Sequence, residues 1–138
     1  RLILERLEQR LLRRDQPGDD LLEVLSESLP IDRLRREECA FWTAFWGMIP
    51  TSPSARRLNA GVHREYVGLS ERCIAAHWPE WKRWPTALRK QVLDSIMTFI
   101  NGLTATAVTS PADWPAERQL EQLDLQLRLL RDWANGTS

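Results

Sequence analysis

Three stretches of this chain place chemically capable side chains at helical spacing. The first is Arg35-Arg36-Glu37-Glu38-Cys39-Ala40-Phe41-Trp42-Thr43-Ala44-Phe45-Trp46. On a helix, Glu38 falls inside the apolar arc, between Leu34 and Trp42, and not on the outer face. A carboxylate there must find a partner or shift toward its protonated form. It could anchor a cationic or hydrogen-bonding ligand, with aromatic walls able to hold a cation. It could equally form a salt bridge to Arg33, Arg35 or Arg36, or stand at a wet helix start. The second stretch carries an apolar stripe of Leu58, Val62, Tyr66, Leu69 and Cys73, edged by the polar line Asn59, His63, Ser70 and His77. Such a border is what orienting groups in a ligand pocket look like, and also what a helix edge looks like where it meets solvent. The third, His77 to Pro85, sets Trp78, Trp81 and Trp84 between two prolines, either to lid a cavity or to staple the connection to the bundle. The candidate ligand-binding set is Glu38, Trp42, Phe45, Trp46, Asn59, His63, Tyr66 and Ser70, with Met97 from the next helix.

Signatures of catalysis fail in turn. His63 and His77 follow no Glu-x-x-His pattern for a di-metal bundle, and neither Cys39 nor Cys73 has a zinc-type partner at the right spacing. Gly-rich phosphate loops and Gly-x-Ser-x-Gly are absent. The expectation is a non-enzyme with no cofactor and no metal. The two cysteines, each on an apolar helix face, read as free buried thiols.

The elements that position these groups are helices throughout. The expected fold is all-α with about six helices: Leu2–Arg14, a short helix from Asp19-Asp20 closed by Pro30, a third from Asp32 to about Ile49, a fourth from Ser54 to about His77, then Thr86–Ser110 and Pro115–Ala134. Thr86–Ser110 is apolar on one side and small on the other, where Ser95, Thr98, Gly102, Ala105 and Thr109 step along it. Pro115–Ala134 has two apolar stripes, Leu120, Leu123, Leu127, Leu130 and Ala134 against Leu125, Leu129 and Trp133. One small domain cannot cover both, whereas a four-helix bundle of two helices from each of two copies can. A homodimer is expected, with Ser95, Thr98, Gly102, Ala105, Thr109, Leu123, Leu127 and Leu130 at the interface.

With 138 residues and 19 basic against 19 acidic side chains, the chain has an ordinary globular composition and lacks the basic footprint of a nucleic-acid surface. No apolar run approaches a membrane span and no signal peptide opens the chain, so a cytoplasmic protein with no membrane partner is expected. It opens at Arg1 in what reads as mid-helix, as a fragment of a longer protein would.

Arg35-Arg36-Glu37-Glu38 leading into Phe41-Trp42-Thr43-Ala44-Phe45-Trp46, then His63-Arg64-Glu65-Tyr66, Ile100-Asn101-Gly102-Leu103 and Ser110 through Arg118 resemble a known pattern. The chain is similar to the C-terminal effector-binding and dimerisation domain of TetR-family transcriptional regulators, in the branch containing the betaine-responsive regulator. The resemblance implies residues 1–14 as a connecting helix, 19–85 as pocket helices and Trp-rich loop, and 86–134 as dimerisation helices. It further implies a repressor whose N-terminal helix-turn-helix domain, absent from this chain, binds operator DNA. A small-molecule effector would bind between the third, fourth and fifth helices, under the connecting helix, and change operator affinity. The Glu38 carboxylate favours a cationic or amine-bearing effector. The other reading is a helical protein–protein interaction module whose cavity is filled by its own side chains.

Overall fold

A computed structural model describes residues 2–12 and 20–137. The expected end of the first helix at Arg14, the turn Asp15-Gln16-Pro17-Gly18 and the helix start at Asp19 lie outside the described residues. Among those described, six α-helices and no strand are present: α1 (Leu2–Leu12), α2 (Leu21–Leu25), α3 (Arg33–Met48), α4 (Pro53–His77), α5 (Thr86–Thr109) and α6 (Ala116–Thr137). Short 3-10 turns follow α2, α3 and α4.

Capping residues fix where the helices begin. The side chains of Asp20, Asp32 and Ser52 accept hydrogen bonds from the backbone N–H groups of Glu23, Arg35 and Ala55. Ser52, with Pro53 in the first turn, therefore starts α4 one residue before the expected Ser54. The core runs through every helix except α3. It joins Leu4 and Leu7 of α1 and Val24 and Leu25 of α2 to Leu69, Cys73 and Ile74 of α4, Val92, Ile96 and Ile100 of α5, and Leu123 and Ala134 of α6. By length and composition α5 could cross a membrane, contrary to the expectation that no segment approaches that limit. Here it packs against α3 and α6 and supplies more buried residues than any other helix.

The connection from α4 to α5 is a staple. Trp78, Trp81 and Trp84 are all buried, with ring centroids 6.0 Å apart for Trp78–Trp84 and 5.6 Å for Trp81–Trp84. Trp84 Nε1 donates to Asn135 Oδ1 at 3.1 Å, and Arg131 donates twice to Glu80, at 2.7 and 3.0 Å. The turn is thereby fastened to the C-terminal part of α6 by rings, an amide and a two-pronged ion pair. The other end of α6 is fixed by Gln119, whose Nε2 donates to the carbonyls of Trp114 and Pro30.

The two α6 stripes differ in burial: Leu123 and Leu127, expected at the interface, are buried within the chain's own core, and Leu130 is partly buried against it. Leu125, Leu129 and Trp133 are the exposed stripe. On α5, Thr98, Gly102 and Thr109 are exposed and Ser95 and Ala105 half-buried. The apolar arcs of α3 and α4 also extend past the core, for Leu34, Phe41, Met48 and Leu58 face outward.

The bonds from Arg131 hold the Glu80 carboxyl down to about 2, against the opposing effect of its burial. Its folded-state value lies below the unfolded one, so its contribution is full above about 4.5 and is lost as pH falls through about 2. Glu80→Gln should therefore lower the urea-unfolding stability near neutral pH, and its deficit against the parent chain should shrink steadily below pH about 4.5. A deficit independent of pH would show that the ion pair contributes nothing.

Candidate ligand-binding site

A cavity of about 310 Å³ lies between α1, α3, α4 and α5. Six of the nine nominated residues line it: Glu38, Trp42 and Trp46 on α3, with Asn59, His63 and Tyr66 on α4. They share the wall because α3 and α4 each turn one helical face toward it, at spacings of four, four and then four and three residues. The other three are elsewhere. Phe45 packs edge-on to Trp42 and stacks with Phe41; Ser70 and Met97 are buried in the core and do not reach the cavity wall. His77, the last of the polar line, has its Nδ1 bonded to the carbonyl of Cys73 at 2.8 Å.

The remaining wall is what sequence reasoning missed. Ile3 and Leu4 come from α1, Ser28 from the turn after α2, and Ile100, Asn101 and Thr104 from α5. Asn101 carried a usable signal, an amide between Ile100 and Leu103 in the apolar part of α5, of the same kind that singled out Glu38. Ser28 carried none, since its place depends on contacts made far along the chain. Tyr66 donates to Ser28 Oγ at 2.8 Å, and the Thr104 hydroxyl donates to the Ser28 carbonyl at 3.2 Å. Burial pushes the Tyr66 phenol up to about 12, against the lowering effect of its bond to Ser28, so it stays neutral. Burial, reinforced by the charge of Glu38, likewise pushes the Cys39 thiol up to about 12.

Glu38 does not pair with Arg33, Arg35 or Arg36. It reaches α1, accepting from the Ile3 backbone N–H at 2.7 Å and from Arg6 Nη2 at 2.6 Å. Arg6 also donates to Glu27, at 2.8 Å through Nε and at 3.0 Å to its carbonyl. Glu27 accepts further from Arg10 Nε at 3.0 Å and Arg35 Nε at 3.2 Å, and Arg35 bonds Asp32 in turn. Burial alone would raise the Glu27 carboxyl, but the hydrogen bonds and charges of Arg35 and Arg10 outweigh it and hold the group below its ordinary value. Glu38 is thus fixed by a buried ionic cluster that ties α1 to α3.

These features define a class: an all-α domain with a mostly apolar cavity bordered by its first described helix. Residues 17–131 match the sequence model of the C-terminal domain of BetI-type transcriptional repressors, and the chain belongs to that family. No curated protein and no solved structure matches it. Among the described residues no group of three or more His, Cys, Asp or Glu side chains could hold a metal ion.

Glu27 holds three guanidiniums with a side chain only 5% exposed. Glu27→Ala leaves those charges without their shared partner and should cost about 3–5 kcal/mol in urea unfolding, the range for breaking a buried ion pair from one side. A loss under about 1 kcal/mol would mean that water replaces the carboxylate freely.

Proposed function

We propose that this chain is the effector-binding and dimerisation domain of a transcriptional repressor. A small molecule would occupy the cavity between α1, α3, α4 and α5, and two copies would pair through α5 and α6. The observation that carries the reading is the makeup of the cavity wall: Ile3 and Leu4 of α1 form part of it, beside Trp42 and Trp46. An occupant touches the helix that would lead to a DNA-binding head outside residues 1–138. It can therefore favour one setting of α1 over another, and ligand and operator affinities would be linked reciprocally. An open cavity, and not one packed with the chain's own side chains, favours this reading over a pure interaction module.

Pairing is supported by the exposed α6 stripe and by Gly102. A Cβ built at Gly102 meets nothing within 4 Å, so that face of α5 is open for a second helix to approach closely. Native mass spectrometry of the chain should show a dimer. Gly102→Glu and Leu129→Glu clash with nothing inside one chain and should both yield folded monomers, checked by circular dichroism and light scattering. A parent chain that is monomeric, or variants that remain fully dimeric, would sink the α5–α6 interface.

A further inference from the structure

Resting on the reading of the cavity as an effector site, we infer that its ligand is an uncharged molecule: an apolar body against Trp42 and Trp46, and a hydrogen-bonding group met by the carboxamides of Asn59 and Asn101.

The charge on the wall is already balanced. Among the described residues Glu38 is the one carboxylate lining the cavity, and both its oxygens are engaged by α1. The cluster behind it sets three carboxylates, Glu27, Asp32 and Glu38, against three guanidiniums, Arg6, Arg10 and Arg35. No uncompensated negative charge faces the cavity from α1, α3 or the turn between them. A cation could use Glu38 only by displacing Arg6, which would leave Arg6 to Glu27, already shared with Arg10 and Arg35. On this inference the Glu38 carboxylate is not the anchor of a cationic or amine-bearing effector, which differs from the expectation drawn from the sequence. An anion would find no Lys or Arg among the described residues that line the cavity; His63 is the one basic side chain there, and it is exposed to solvent.

Besides the exposed imidazole of His63, the unengaged polar groups of the wall are two carboxamides. The Ser28, Tyr66 and Thr104 hydroxyls are tied to one another's groups. The side chains of Asn59 and Asn101, half-buried on facing elements α4 and α5, have no hydrogen-bond partner among the described residues. Each carboxamide offers two donors and an acceptor, so a hydroxyl or amide on the ligand can meet both kinds of group, whereas a carboxylate can only accept and a quaternary ammonium can do neither. A site built around hydrogen bonds also rejects a ligand that lacks them, since its own polar groups are then left unpaired.

The test is calorimetric titration of the chain with three aryl probes of similar size: acetanilide (neutral amide), phenyltrimethylammonium (cation) and phenylacetate (anion). Acetanilide should bind at least about tenfold more tightly than either charged probe. Asn101→Ala should weaken acetanilide about fivefold or more, the scale of one hydrogen bond, while leaving phenyltrimethylammonium unchanged. Trp42→Ala should weaken every probe that binds. Equal affinities, or tightest binding of a charged probe, would overturn the neutral-ligand inference and leave the effector site standing. Binding of none of the three at millimolar concentration would overturn the effector site itself.

Discussion

The ion pairs gathered on Glu27 govern the part of the structure where a ligand would act. Through Arg6, Arg10 and Arg35 this one buried carboxylate joins α1, the turn after α2 and α3. Taking such charges out of water is costly, and the cost is offset only where each lone pair finds a donor. Here Glu27 accepts from all three guanidiniums and Glu38 from Arg6 and the Ile3 amide. The arrangement fixes α1 as the roof of the cavity and cancels the charge on its wall at the same time. Position of α1 and charge balance along the cavity wall are thus two consequences of a single cluster.

The second half of the chain is held by different means. Three indole rings and the Glu80–Arg131 pair lock the α4–α5 connection against α6, while Gln119 fastens the opposite end of α6 to the carbonyls of Trp114 and Pro30. Between these fixings α5 is buried on the side that carries Val92, Ile96 and Ile100 and open at Gly102. A rigid pair of helices with one uncovered face suits a fixed interface. An ionic roof over a cavity suits a part that must have more than one setting, because ion pairs re-form at new positions more readily than interdigitated rings repack. The division follows the family assignment, in which one domain serves both binding and assembly.

The sequence by itself determined the helical architecture, the approximate bounds of the helices and the family. Period and caps are local: Asp32, Ser52 and the prolines act on residues a few positions away, and the 3.6-residue spacing of Val92, Ile96 and Ile100 needs no knowledge of what they face. The same periodicity put Glu38, Trp42, Trp46, Asn59, His63 and Tyr66 on inward edges, where the cavity lies. Tertiary structure decided everything that depends on which of two similar surfaces is covered. Leu123 and Leu125 are both leucines on one amphipathic helix, and only the packing of α6 on α5 buries the first and exposes the second. Glu38 could have paired with any of three neighbouring arginines, yet its partner is Arg6, 32 residues away, because α1 packs on α4 with Arg6 within reach of α3. A sequence states which charges exist; only the fold states which of them remain unpaired.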